Sequence, residues 1–211
     1  MAKEAGELLQ QVVARYAAFL SYADEGTVRT RLRSEDPELI IPFSTLFRKP
    51  ACFRFEFRRP HAYPPLRHIV YRHLVVSDGS TVQIVRDRPG HALQIETTDS
   101  LELAVAGAAG ISSGSAHTIA RLLLPQVGGL SLLHLSDPQR LPDISLGPAD
   151  CYQVEAKYPR GGGLARLCIE KDTLLLRRIG TARDRFADDE ARASIRVDQP
   201  LEMSLFSHET P

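Results

Sequence analysis

Phenylalanines alternate with charged residues in the segment Cys52–Arg59, and this alternation constrains the fold more than any other feature. The segment Thr27–Ser34 repeats the pattern, with Val28, Thr30 and Leu32 placed between arginines. Successive side chains of an extended chain point to opposite faces, so both segments sort apolar and charged residues onto different sides. The pattern predicts an antiparallel sheet with one buried and one solvated face.

Further segments have the same strand character. The turn Ser77–Ser80 contains Asp-Gly between two apolar runs, which is a strong hairpin signal. Besides the two strands above, we predict strands at Phe43–Phe47, Arg67–Val76, Thr81–Val85, Ala92–Thr97, Cys151–Tyr158, Leu164–Glu170, Thr173–Thr181, Ala193–Val197 and Glu202–Phe206. About ten antiparallel strands with few helices must close into a barrel or curl around another layer.

Three segments have helical character. Apolar residues at three- and four-residue spacings predict a helix over Lys3–Tyr22. Two short apolar helices are predicted at Ser100–Ala109 and Ser115–Leu124. We therefore expect a mainly β (α+β) fold in one domain spanning residues 1–211: a strongly curved antiparallel sheet forms an unclosed half-barrel, with an N-terminal helix and two short lid helices.

The charge balance excludes one class of function. The 26 Lys and Arg residues equal the 26 Asp and Glu residues, whereas a nucleic-acid binder needs a basic excess. No apolar stretch approaches the ~20 residues of a membrane-spanning helix. The N terminus leads directly into an amphipathic helix, so the protein is either cytoplasmic or exported after removal of a leader.

The arginines of the first strands allow three interpretations. They can form a solvated outer face paired with nearby glutamates, a site for an acidic partner, or a contact with anionic lipid. The solvated face is preferred for this set: Arg29, Arg31, Arg33, Arg54 and Arg58.

Gly110–Gly114 formally matches the G-x-S-x-G nucleophile elbow, which requires a strand before the serine. Because a helix is predicted there, a helix end followed by a serine cap fits better, and no catalytic residue is predicted. The histidines lack chelating spacings, so neither a metal site nor a cofactor is expected. The three cysteines are predicted to be buried thiols, with a Cys151–Cys168 bridge as the alternative.

Several short motifs occur in an order that resembles the LolA/LolB-type periplasmic lipoprotein carriers. They are Ser21-Tyr22-x-x-x-Gly26, Phe43-x-Thr45-x-Phe47-Arg48-Lys49-Pro50, Ser77-Asp78-Gly79-Ser80-Thr81-Val82 and the closing Leu205-Phe206. The resemblance implies an unclosed barrel with a helical lid, whose hydrophobic cavity receives lipoprotein acyl chains in transit to the outer membrane. It also implies that Arg48 or Lys49 anchors the lid, because the family has an arginine before this proline.

These observations predict a non-enzymatic protein that binds or transports a lipid, a lipoprotein acyl chain or another hydrophobic ligand. The predicted ligand-binding residues are Val28, Leu32, Phe53, Phe55, Phe57 and Tyr71 on the sheet, and Leu103, Ile119, Leu122 and Leu123 on the lid. The expected partners are a lipid or lipidated protein and envelope proteins, with no nucleic acid and no transmembrane segment. The protein is expected to be a periplasmic or exported monomer.

Two alternative functions stay open. One is a structural or interaction module whose barrel is filled by its own side chains. The other is a serine esterase-like enzyme that uses Ser112 or Ser115 with His117 or His134.

Overall fold

One antiparallel sheet of twelve strands organises the molecule. The computed structural model describes residues 4–31, 37–128, 131–159, 163–182 and 187–209. The strands are β1 (Ser21–Arg31), β2 (Leu39–Arg48), β3 (Cys52–Pro60), β4 (Val70–Asp78), β5 (Val82–Asp87), β6 (Gln94–Thr98), β7 (Ser136–Leu146), β8 (Ala149–Lys157), β9 (Leu164–Glu170), β10 (Leu176–Ala182), β11 (Ala187–Arg192) and β12 (Arg196–Val197). Their order is β6-β5-β4-β3-β2-β1-β11-β10-β9-β8-β7, with β12 also paired to β1. Since β6 and β7 are the two edges, the sheet is unclosed, and the predicted fold class is confirmed.

Three α-helices accompany the sheet in the described chain: α1 (Ala5–Ala18), α2 (Leu101–Ile111) and α3 (Ser115–Leu123). The predicted extent of the first helix is wrong at its end, because the backbone becomes extended at Phe19. Ser21 and Tyr22 belong to β1, where Tyr22 pairs with Phe47 and its ring packs against Tyr16. Aromatic packing and strand pairing thus override the helical spacing of this segment.

The inner face of the sheet carries the aromatic residues and forms the core with the helices. Phe43 and Phe57 are paired across β2 and β3, as are Phe47 and Phe53, and all four are buried. The ring of Phe55 contacts those of Phe43 and Phe57, at centroid distances of 5.9 and 5.7 Å. The alternation in the sequence therefore predicted the buried face correctly.

The outer face of β3–β5 is covered by the C-terminal segment. The predicted strand Glu202–Phe206 is wrong, since Met203–Phe206 forms a 3₁₀ helix. Its Phe206 packs against Leu74, Val76 and Val85 in a second apolar cluster. A strand would have paired at a sheet edge, whereas this short helix packs Phe206 against the outer surface of the sheet.

Arg54 is fixed by the same C-terminal segment. It is 5 % exposed and donates to the carbonyl oxygens of Leu205 (3.3 Å) and Ser207 (2.7 Å). The predicted solvated face is therefore wrong at Arg54. It holds at Arg29 and Arg31, which are exposed and paired with Glu38, while Arg33 lies outside the described residues.

Two strands, β7 and β11, were not predicted from the sequence. β7 contains Pro138 and Pro142 and has register shifts against β8, which an edge strand tolerates because its outward N–H groups need no partner. β11 reads Ala-Asp-Asp-Glu-Ala-Arg and has no apolar alternation. The predicted strand Ala193–Val197 lies just after it, and only Arg196–Val197 of that segment is a strand.

The cysteines are buried free thiols, as predicted. Cys151 and Cys168 pack with Ala149 in a small apolar cluster. Burial raises the pKa of the Cys151 thiol to about 11, so the unreactive protonated form dominates at neutral pH.

Candidate functional site

The inner face of the sheet and the two short helices bring most of the predicted ligand-binding residues together. Val28 and the phenylalanines of β3 are at most 1 % exposed, and they belong to one continuous core. Ile119, Leu122 and Leu123 of α3 are buried in that core. Leu32 lies outside the described residues. These side chains thus form part of a closed apolar interior, and their role in ligand binding stays a prediction.

Two predicted residues are not part of this interior. Leu103 is 71 % exposed, because the buried stripe of α2 runs through Ala104, Val105 and Ala108 instead. Tyr71 is half-buried at the margin, where the Arg88 guanidinium lies 5.8 Å from its ring centroid. Neither side chain contributes to the closed core.

The helix α2 contacts the sheet through small side chains. Its buried residues are Ala104, Val105, Ala108 and Ala109. Stabilisation by burial scales with apolar area at ~25 cal/mol per Å², so three alanines and one valine contribute far less than a leucine face. The middle of α2 is therefore held by small contacts, while Leu101 and Ile111 at its two ends are partly buried against the core.

One side-chain hydrogen bond fastens the end of α2 to the sheet. Arg59, on β3, donates from Nη1 to the Ile111 carbonyl oxygen at 2.8 Å. A cation at a helix C terminus also interacts favourably with the helix dipole. Arg59 was not among the predicted site residues, although Arg59 continues the inward-facing series of Phe53, Phe55 and Phe57 by one step.

The predicted anchors Arg48 and Lys49 bind elsewhere. Arg48 donates to the Leu201 carbonyl oxygen (3.1 Å) in the C-terminal segment. Lys49 donates to the Ala17 carbonyl oxygen (2.9 Å) at the end of α1. These bonds attach the C-terminal segment and α1 to the sheet, whereas Arg59 attaches α2.

The turn between α2 and α3 does not have the geometry of a nucleophile elbow, because a helix precedes it. The Ser112 and Ser115 side chains are buried and bond to the backbone: Ser112 Oγ accepts from Ala116 N (3.4 Å), and Ser115 Oγ donates to the Ser112 carbonyl oxygen (2.9 Å). Gly114 has φ of 85°, the left-handed conformation in which glycine is favoured. His134 is exposed, and the side chain of His117 lies outside what the structure describes.

The inner face becomes positively charged near Arg59. His73 is buried and stacks on Phe57, with ring centroids 4.9 Å apart. Burial, with the neighbouring charges of Arg88, Arg86 and Arg59, lowers the pKa of His73 to about 4. His73 is therefore neutral at physiological pH, and the positive charge here comes from arginines.

A buried polar network ties α1 to the sheet. Asp24 accepts hydrogen bonds from Tyr22 Oη (2.7 Å) and Arg192 Nε (2.9 Å), and Arg192 also pairs with Glu190. Tyr16 of α1 accepts a hydrogen bond from Leu176 N (3.1 Å), and burial, partly offset by Arg192, raises the pKa of Tyr16 to about 12. The bond to Tyr16 attaches α1 to the sheet in the buried interior, whereas Arg59 attaches α2 at its end. The charged composition of β11 gave no sign of this network.

Within the described chain, no group of three or more His, Cys, Asp or Glu side chains could hold a metal ion. Among the same residues, no helix combines the length and apolar character needed to cross a membrane.

Comparison with known structures shows the fold. LprF from Mycobacterium bovis is 12% identical, with a TM-score of 0.59 over 94% of this chain and 95% of that chain. The lipoprotein LppX from Mycobacterium tuberculosis is 10% identical, with a TM-score of 0.52 over 94% of this chain and 97% of that chain. MucB of Pseudomonas aeruginosa, in its complex with MucA, is 10% identical with a TM-score of 0.52, over 96% of this chain and 60% of that chain.

At these identities the likeness concerns the fold alone, and at that level the predicted resemblance is confirmed. No protein-family model matches the chain, and no curated protein matches it.

Proposed function

We propose that the protein binds a lipid, a lipoprotein acyl chain or a similar hydrophobic ligand between the inner face of the sheet and the helices α2 and α3. One observation carries the proposal: the buried middle of α2 consists of small side chains that share one core with the phenylalanines of β3, and Arg59 fastens the end of the helix. LppX, which shares this fold, is itself a lipoprotein. This function would take place in the periplasm or outside the cell, because lipidated proteins are transported there.

Ligand entry requires a helix such as α2 to move, because the phenylalanines of the shared core are closed to solvent. Every Å² of apolar ligand surface buried against these rings would contribute ~25 cal/mol, which offsets the loss of the small contacts of α2. The buried hydrogen bond from Leu176 N to Tyr16 keeps α1 attached to β10 during this movement. The solved complex of MucB with MucA supports a protein partner as well, which would deliver or accept the ligand.

A second candidate function is a structural or interaction module with a self-filled interior. The complete burial of Phe53, Phe55 and Phe57 favours it, since a closed core needs no ligand.

Fluorescence titration with the neutral hydrophobic probe N-phenylnaphthylamine separates the two functions. A carrier should bind the probe saturably, and Arg59→Gln should accelerate probe association about tenfold, because a hydrogen bond from a charged group is worth about 1.5 kcal/mol or more. Arg58→Gln is the matched control, since Arg58 is the neighbouring residue on the exposed outer face. Absence of saturable binding in both the wild-type protein and the Arg59→Gln variant would establish the self-filled module instead.

A further inference from the structure

A pocket opens at the end of the sheet where α2 meets α3. Its volume is about 220 Å³. Among the residues that line it are Leu39, Arg59, Tyr63, Arg67 and Ser113. They come from β2, the end of β3, the β3–β4 connection and the α2–α3 turn, so the pocket lies beside the bond that fastens α2.

The pocket carries two positive charges, those of Arg59 and Arg67. Neither Arg59 nor Arg67 forms an ion pair with a carboxylate of the described residues, and no described acidic side chain lines the pocket. On the outer face the arginines are paired, as Arg166 is with Glu155 and Arg178 with Asp189. The charge in this pocket is thus uncompensated by the described part of the chain.

The two guanidinium groups retain donors for a ligand. Arg67 donates from Nη2 to the Pro37 carbonyl oxygen at 3.1 Å, whereas its Nε is buried and has no partner among the described residues. Arg59 uses Nη1 for Ile111, and a guanidinium carries five N–H donors in a fork that matches phosphate or carboxylate oxygens. A buried donor without a partner is costly, which is a reason to expect an acceptor there.

The surroundings of the pocket indicate how the anion is carried. Leu39 belongs both to the pocket and to the continuous core, and Tyr63 forms an exposed apolar rim. A ligand with its charged group between the arginines can therefore extend an apolar chain past Leu39 toward the core. Such a molecule is an amphiphile with an anionic head.

We propose that this pocket binds an anionic group of the phosphate or carboxylate class through Arg59 and Arg67, as the head of the hydrophobic ligand. The proposal rests on the proposed function and adds the chemistry of the head group. The anion engages the same guanidinium that holds Ile111, so head-group binding and release of α2 share one residue.

Displacement of N-phenylnaphthylamine by two matched competitors tests the head-group preference. Dodecyl phosphate and dodecanol share the apolar chain and differ in the anion, and we expect dodecyl phosphate to compete at about tenfold lower concentration, which is about 1.4 kcal/mol. In Arg67→Gln this ratio should fall to about one to three, because the substituted side chain carries no charge. Arg58→Gln, which removes one positive charge on the outer face, should keep the tenfold ratio.

A third arm distinguishes a head group from a free anion. Inorganic phosphate is titrated into the whole protein while the Arg67 Nε–H resonance is followed by NMR. A shift with phosphate alone, saturating at concentrations as low as those of dodecyl phosphate, would assign the pocket to a free anion and overturn the head-group proposal. Equal competition by both amphiphiles would overturn the anion pocket and leave hydrophobic binding intact, whereas failure of both amphiphiles to compete would overturn the proposed function together with the pocket.

Discussion

The strands β3, β4 and β5 are covered on both faces, and the two covers are built differently. On the inner face α2 presents small residues such as Ala104 and Ala108, and Arg59 fastens its end. On the outer face the C-terminal segment presents Phe206 to a tight apolar cluster, and Arg54 and Arg48 bond its carbonyl oxygens. Because the outer cover buries large side chains and the inner cover small ones, we expect the outer cover to be permanent and the inner cover to be releasable.

The largest effect should come from the outer cover. Phe206→Ala should lower the free energy of unfolding by about 3–5 kcal/mol, because it leaves a cavity against Leu74, Val76 and Val85. Urea denaturation followed by circular dichroism measures it. Met203→Ala, at a side chain 46 % exposed in the same segment, is the control and should cost no more than about 0.5 kcal/mol. A loss below about 1 kcal/mol in Phe206→Ala would show that the outer cover is as loose as the inner one.

Acid should weaken the inner face before the outer one. His73 has a folded-state pKa of about 4 against an ordinary value of 6.5, because burial and nearby arginines disfavour its charged form. Between these two values the unfolded chain binds the proton and the folded protein does not, so stability falls as the pH drops through this window. The expected loss is about 3 kcal/mol between pH 7 and pH 4.

The stability contributed by the outer face should not change over most of the interval between pH 6.5 and pH 4. Burial opposes ionisation of Glu56, but hydrogen bonds from Arg72 and Arg54 outweigh it and lower its pKa below the ordinary value of 4.5. The stabilisation from Glu56 is present above that ordinary value and is lost as the pH falls through the lowered folded-state pKa. Urea midpoints across pH 4–7 should flatten in His73→Gln and stay steep in His68→Gln, whose histidine is exposed. An unchanged slope in His73→Gln would contradict the assignment.

The smallest effect is expected at Lys49. Lys49→Ala removes an exposed hydrogen bond to Ala17 at the end of α1, so the free energy of unfolding should change by less than about 0.5 kcal/mol. Amide hydrogen exchange in α2 should stay at the wild-type rate, because Lys49 bonds to α1 and Arg59 bonds to α2. Faster exchange in α2 of Lys49→Ala would restore Lys49 as the anchor of the inner cover.

Alternation in the sequence was sufficient to predict the curved sheet and its inner face. The period of two in Cys52–Arg59 places the three phenylalanines inward, and the structure buries all of them. The ends of the two short helices were also predicted within two residues. At the start of α2, the Ser100 hydroxyl caps the helix by accepting from Leu103 N at 3.1 Å. These features depend on neighbouring residues along the chain, so a single sequence carries them.

The remaining features depend on contacts between distant segments. No local pattern shows that Arg54 meets the carbonyl oxygens of Leu205 and Ser207, or that Arg192 pairs with Asp24 in the core. The exposed position of Leu103 follows from which stripe of α2 faces the sheet, and Ala-rich helices leave that choice open to packing. The pocket between Arg59 and Arg67 likewise forms only when the β3–β4 connection and the α2–α3 turn meet.

The strand order has a consequence for how the chain assembles. The strands β1 to β6 form one meander and β7 to β11 another, and within each of them neighbours in the sheet are neighbours in the chain. The two meanders are joined at β1, which pairs with β11 and β12. In this ladder Arg31 lies opposite Ala187. Closing that ladder carries most of the loop-closure entropy of the fold, whereas the hairpins close over short distances. Within the described residues, the sheet thus consists of two locally encoded meanders whose strands pair with each other at β1.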